Sequence, residues 1–198
     1  MNGTSFAILL LACAAYGGLH SLLASHAAKR LAERWFGPSV HRWYRLFFSL
    51  QGGLTFLPLL ALAWLLPDAV LYTIPLPWLV ISLLGQAAGG LVVLYAISQT
   101  GAGEFLGLSQ ALGASSADAA RPPRLVTGGL YRWVRHPIYT GSLLFIWLMP
   151  VMTGNLLALN IGFTAYVFIG AWFEERKLRA EFGPAYAEYA RRTPMILP

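Results

Sequence analysis

Charge is scarce in this chain. Only 11% of its 198 residues are Asp, Glu, Lys or Arg, against about 25% in an ordinary soluble domain. With 57% hydrophobic residues and a mean hydropathy of +0.59, the chain falls in the membrane class. Cysteine is scarcer still. Cys13 stands alone, which excludes an internal disulfide and any cysteine-based metal spacing. It reads as a small packing residue inside the first apolar run. That run lacks a basic leader, and no small-x-small cleavage site with a soluble chain behind it follows. It is expected to be a retained helix and not a signal peptide.

Four apolar regions are present: Ser5 to Ala24, Leu46 to Leu66, Pro77 to Ser98, and Ile138 to Phe173. The last is too long for one span of about 20 residues. Thr153-Gly154-Asn155 breaks it with a tight-turn composition. The expected fold is therefore an all-α polytopic membrane bundle of about five helices. The fourth helix, Tyr139 to Met152, is short for a full span. It must tilt, stop inside the membrane or pack through its turn.

Cations are missing from one side of this topology. All 14 Lys and Arg residues fall in three places: Lys29 to Arg45, Arg121 to Arg135, and Arg176 to Arg192. These lie on one side of a five-helix bundle, while the other side holds Asp68 and no cation. The positive-inside rule then sets the N-terminus outside and the C-terminus in the cytoplasm. The basic pI of 9.8 comes from juxtamembrane residues, which interact with anionic lipid and not with nucleic acid.

The organisation divides at about residue 124. Residues 1–124 hold three spans and a connector, and residues 125–198 hold the candidate site; together they form one integrated domain. Ala111 to Arg124 is small, polar and proline-bearing, and reads as a mobile connector. Gly85 and Gly89 have the spacing that lets a neighbouring helix come close. Pro58 can kink its helix. Past Phe173 the chain turns amphipathic. Leu178, Phe182, Tyr186 and Tyr189 form one stripe, interrupted at Gly183-Pro184, where a kink is expected. Such a segment can cap a pocket at the cytoplasmic end.

Ionisable residues reappear where apolar helices end. Arg135-His136-Pro137-Ile138-Tyr139-Thr140-Gly141 opens the fourth helix, and Glu174-Glu175 closes the fifth. Charge is costly near lipid and marks candidate sites. Arg135 and the positive helix end suit a carboxylate. Glu174 or Glu175 suits an ammonium or hydroxyls. Tyr131 and Tyr139 suit a flat ring or a cation over their faces. Gly128 and Gly129 allow close backbone approach.

Three blocks occur in fixed order: Leu125-Val126-Thr127-x-Gly129-x-Tyr131, Arg135-His136-Pro-x-Tyr139-x-Gly141, and Glu174-Glu175-x-x-Leu178-x-x-x-Phe182-Gly183-x-x-Tyr186-x-x-Tyr189. They resemble the isoprenylcysteine carboxyl methyltransferase and phospholipid methyltransferase superfamily, over about Leu125 to Pro194. The resemblance implies a membrane enzyme that binds S-adenosylmethionine. Its cofactor contacts would be Leu125, Val126, Thr127, Gly129, Tyr131, Arg135, His136, Tyr139, Gly141, Glu174 and Glu175. Arg135, His136 and Glu175 would be the catalytic candidates, with no metal. The acceptor would be a small or lipophilic molecule reaching the site through membrane lipid. The expected location is a bacterial inner membrane, with the site facing the cytoplasm.

One departure bears on the acceptor. Ala171-Trp172-Phe173, before the acidic pair, offers no cation for a prenylcysteine carboxylate. The N-terminal His20-Ser21-Leu22-Leu23-Ala24-Ser25, with Lys29, resembles bacterial thiol-methylating relatives. It also resembles a denitrification-linked membrane family related to a haem-dependent isomerase. A second reading follows, in which His20 and one of His26, His41 or His136 hold a haem.

Overall fold

A computed structural model describes residues 2–101, 103, 106–112 and 125–197. The connector expected up to Arg124 lies, for residues 113–124, outside the described residues. Seven α-helices are described: α1 (Gly3–Ala24), α2 (His26–Phe36), α3 (Val40–Leu65), α4 (Trp78–Thr100), α5 (Leu108–Ala111), α6 (Pro137–Trp147) and α7 (Gly154–Arg192). Two short strands, β1 (Val70–Thr73) and β2 (Val151–Thr153), pair antiparallel. A single 3₁₀ turn covers Gly129–Arg132.

The chain is an integral membrane protein built mainly of helices. Four of them (α1, α3, α4 and α7) are long and apolar enough to cross a membrane, and α6 is a shorter apolar helix. These are the five apolar helices expected from the sequence. The large side chains point outward: Trp64 is 88% exposed and Leu65 81%. Inside sit smaller contacts, such as Leu9, Cys13, Leu59, Ala158 and Leu159. Lipid is as apolar as leucine, so such bundles hold by close packing and hydrogen bonds rather than by expelling water.

Much of the first basic segment, between the first two spans, is itself a helix. Ser25 caps α2 by accepting from the Ala28 amide at 3.2 Å. Ala27, Leu31 and Trp35 recur every four residues, opposite Lys29 and Glu33, with Arg30 and Arg34 on the flank. Leu31, Trp35 and Phe36 are exposed. A short helix with one apolar and one basic face suits the membrane interface.

Helix α6 stops after 11 residues, and its last carbonyls would be stranded without partners. Neighbouring helices supply them. Gln86 donates to the Phe145 carbonyl at 3.0 Å, and Asn160 to the Ile146 carbonyl at 2.8 Å. The Ser82 hydroxyl donates to the Leu148 carbonyl. Three polar side chains from α4 and α7 thus let α6 end early. At one crossing α6 meets α4 backbone to backbone. A Cβ on Gly89 would meet the Gly141 carbonyl oxygen at 2.7 Å, and one on Gly141 would meet the Gly89 carbonyl oxygen at 2.6 Å. Gly162 gives α1 similar access, because a Cβ there would meet Cys13 at 2.6 Å.

The other end of the bundle is tied by Asp68 and Asn155. Asn155 donates to the Ala63 and Leu66 carbonyls at 2.9 and 3.1 Å, which satisfies the C-terminus of α3. Asp68 accepts from the Asn155 amide at 3.0 Å, at the N-terminus of α7. Burial pushes the Asp68 carboxyl up, but hydrogen bonds from Thr153, Asn155, Ala69 and Gly154 outweigh it and hold the group below its ordinary value. A carboxylate at a helix N-terminus is favoured for the same reason. The residues read as a simple turn in fact carry a strand, a helix cap and this tie.

Two outcomes follow. Gly89→Val should cost about 1–3 kcal/mol by forcing α4 and α6 apart, whereas Gly90→Ala, with nothing within 4 Å, should melt in detergent as wild type does. Because the folded Asp68 value is depressed, its contribution is complete above the ordinary carboxylate range and is lost as pH falls through the folded value. Wild type should therefore outlast Asp68→Asn near neutral pH, by no more than about 1 kcal/mol for so exposed a group. The two melting curves should converge in acid; a gap independent of pH would assign the effect to something other than this carboxylate.

Candidate active site

The site grows from the start of α6. Pro137 occupies the first helical position, where its missing amide hydrogen is not needed. His136 caps the helix, and its own amide donates to the Met195 carbonyl at 3.0 Å. The Arg135 amide donates to the Pro194 carbonyl at 2.9 Å. The C-terminal segment is thus laced along this motif. Ile196 then buries itself beside Val167 and Ala171.

Beneath the motif lies Glu175, with a side chain only 8% exposed. Arg135 grips it with two parallel bonds, Nε to Oε1 at 2.7 Å and Nη2 to Oε2 at 3.0 Å. His136 Nε2 lies 3.0 Å from Oε1. The Tyr186 hydroxyl donates to the same oxygen at 2.6 Å. Arg135 Nη1 also donates to the Ala190 and Thr193 carbonyls. Arg179, one turn on, reaches Oε2 at 3.6 Å. Burying a charge demands this degree of pairing.

The neighbouring Glu174 has the opposite character. Its side chain is 46% exposed. It accepts from the Tyr139 hydroxyl at 3.1 Å and lies 3.6 Å from His136 Nδ1. Tyr139 stacks on His136, with ring centroids 5.3 Å apart. Glu174, Tyr131, Tyr139 and His136 all line a cavity of about 450 Å³. Burial, together with the charge of Glu174, pushes the Tyr131 phenol up, so it stays neutral at physiological pH.

The cavity gathers most of the sequence-derived candidates. Leu125, Val126, Tyr131, Arg135, His136, Tyr139 and Glu174 line it. Thr127, Gly129, Gly141 and Glu175 do not. Gly129, at φ +61°, packs against Gln99, whose Oε1 accepts from the Leu130 amide at 3.2 Å. Gly141 serves the α4–α6 contact. The stripe Leu178, Phe182, Tyr186 and Tyr189 lines the cavity as a cap. It can do so because α7 breaks at Gly183, where φ is 53° and ψ −127°, at the place the Gly-Pro pair indicated. Phe48, Thr100 and Tyr166 also line the cavity and were missed. They sit in apolar helices where nothing distinguishes them from packing residues.

His20 reaches the same cavity from α1. The rings recorded around it are Tyr16, Phe48 and Tyr166, with no second histidine among them.

The two glutamates should separate cleanly by stability. Glu175→Ala leaves Arg135 buried and unpaired, a loss of about 3–5 kcal/mol. Glu174→Ala removes only a solvated group and should cost about 1 kcal/mol or less. Denaturant or thermal unfolding in detergent measures both; equal losses would contradict the division of roles.

Comparison with known proteins gives the family. A family model described as phospholipid methyltransferase matches residues 79–185, more than half of the chain. Methanethiol S-methyltransferase 1 of Bradyrhizobium diazoefficiens is 33% identical over 193 residues, or 96% of this chain and 66% of its own length. Methanethiol S-methyltransferase of Mycobacterium tuberculosis is 31% identical over 203 residues, covering 99% and 79%. Protein-S-isoprenylcysteine O-methyltransferase B of Arabidopsis thaliana is 36% identical over 78 residues, covering 38% and 40%. The chain spans just under two thirds of the Bradyrhizobium protein. No solved structure matches. Nothing in these relatives supports the haem reading. The family inferred from the three motif blocks is the family found, and the chain belongs to the phospholipid methyltransferase family of membrane methyltransferases.

Proposed function

We propose that this protein transfers a methyl group from S-adenosylmethionine to a small or lipophilic acceptor, a thiol first among them. The observation that carries this reading is the cavity where Glu174, Tyr131, Tyr139 and His136 meet beneath the α7 cap. Its volume of about 450 Å³ falls within the range of about 300–1,000 Å³ found for small-ligand sites. Its donor set also fits the cofactor. Aromatic faces attract a sulfonium, and the half-exposed Glu174 carboxylate suits an ammonium. Leu125 and Val126 give an apolar wall for a flat base.

When bound, the cofactor supplies an electrophilic methyl carbon. The residues of this chain do the rest. Tyr139, held by Glu174 and stacked on His136, is fixed in orientation. Arg135, committed to Glu175, positions the wall and is not free to grip a ligand carboxylate fully. The 3₁₀ turn supplies Tyr131 to the cavity, and the α7 stripe covers it with Leu178, Phe182, Tyr186 and Tyr189. Direct displacement needs no covalent intermediate, so alignment and desolvation carry most of the rate. Glu175 and Arg135 are assigned as positioning residues; Glu174, His136, Tyr131 and Tyr139 as cofactor contacts.

The acceptor follows from the relatives; Ala171-Trp172-Phe173 carry no cation of their own, and Arg176 beside them lies over the Trp172 ring. A small alkanethiol of the methanethiol class needs no cation. We place the protein in a bacterial inner membrane, with the cavity facing the cytoplasm, because its basic residues cluster at the cavity end.

Calorimetry on detergent-purified protein tests the assignment. Wild type should bind S-adenosylmethionine saturably. Glu174→Gln should bind it about tenfold more weakly, the loss of one charge-assisted contact, without a change in melting temperature. Unchanged affinity would remove Glu174 from the site, and no binding by folded wild type would overturn the cofactor assignment.

A further inference from the structure

We propose that His20 is the acceptor-side base, accepting the proton of a thiol and holding the thiolate beside the methyl group. This rests on the methyltransferase reading above. It assigns a residue that the cofactor contacts leave unused.

The first observation is placement. A second cavity, of about 620 Å³, lies within the apolar helices. Tyr166 lines both cavities, and Tyr16 lines the apolar one. His20 lines the polar cavity. It stacks on Tyr16 at 5.8 Å and meets the edge of Tyr166 at 5.9 Å. The imidazole therefore stands at the joint between a chamber that suits an apolar acceptor and the pocket assigned to the cofactor.

The second observation is the cost of keeping it there. His20 Nδ1 is enclosed and has no hydrogen-bond partner among the described residues. Leaving such a group without a partner is unfavourable. The fold nevertheless makes room for it. Phe48 packs on the ring at 4.2 Å. A Cβ on Gly52 would lie 2.9 Å from His20 Cε1 and 3.3 Å from Nδ1, so only glycine leaves space in α3. With Nδ1 closed against α3, Nε2 is the nitrogen left to a ligand. His136, by contrast, has carboxylates at both ring nitrogens.

The third observation is chemistry. An alkanethiol is a weaker acid than the cysteine side chain, whose pKa is about 8–9, so it is protonated at neutral pH, and an apolar chamber favours that neutral form further. The S–H bond breaks and its proton passes to His20 Nε2. The sulfur electron pair forms the new bond to the methyl carbon. The bond from that carbon to the sulfonium sulfur breaks, and its pair stays on the sulfur, which leaves as a neutral thioether. The imidazolium then returns its proton to water. The titratable groups facing His20 are Tyr16 on its own helix and Tyr166 on α7, while α3 presents Phe48 and Gly52. The shared pocket adds Tyr131, Tyr139, Tyr186, Tyr189, His136, Arg135 and Glu174.

His20→Ala and His20→Gln test this in detergent-purified protein. Calorimetry should give both variants wild-type affinity for S-adenosylmethionine. Wild type without cofactor should bind hexanethiol more tightly than hexyl methyl sulfide, and His20→Ala should lose that preference. Methylation of hexanethiol at neutral pH should fall by about 100-fold or more, the usual worth of a positioned base. Methylation of the more acidic thiophenol should keep most of its rate, and the hexanethiol rate should recover as pH rises toward the thiol's own pKa. Unchanged hexanethiol turnover would overturn the proposal, as would equal loss with both thiols, which marks a packing residue. If wild type binds no cofactor, the methyltransferase reading fails first and the proposal falls with it.

Discussion

The constraint that organises the site end of this molecule is the burial of one carboxylate at the end of an apolar helix. Glu175 cannot stay charged there alone. Its partners come from three stretches of chain: Arg135 and His136 before α6, Arg179 one turn on, and Tyr186 beyond the Gly183 break. Satisfying it therefore fixes the start of α6 against the end of the apolar part of α7. It also folds the amphipathic segment back over both. Arg135 extends the knot to the Ala190 and Thr193 carbonyls, and the cavity is the space these ties leave open.

At the other end the same physics acts on backbone groups. A helix that stops at membrane depth must find partners for its last carbonyls. Ser82, Gln86 and Asn160 supply them for α6, and Asn155 does so for α3. These polar residues are easily passed over in apolar runs. Their positions decide which helices can be short.

Much of this was legible because membrane insertion leaves coarse marks. Five apolar helices and the Gly183-Pro184 break follow from hydropathy and backbone chemistry, which are local properties. The three motif blocks were legible as a family because their order and spacing are distinctive. What escaped was nonlocal. Glu174 and Glu175 are adjacent and chemically identical; only the fold makes one a buried knot and the other a cavity wall. Tyr166 and Phe48 look like any aromatic in an apolar helix until the bundle turns them inward. The amphipathic pattern of α2 was present in Ala27, Leu31 and Trp35 but was hidden by its charges. The β1–β2 pair is too short to announce itself.

The pairing of Pro194 and Met195 with Arg135 and His136 has a consequence for biogenesis. The motif at the cavity is braced by residues that leave the ribosome some sixty positions after it. Until they do, the amides of Arg135 and His136 lack these carbonyl partners, and the hydrophobic seat for Ile196 is open. Insertion of the helices and completion of the site are thus separate events in time. A chain stalled or clipped before Pro194 would keep its membrane spans and lack these braces on the motif. Such a molecule would be inserted and inert, and it would expose the open seat that Ile196 should fill.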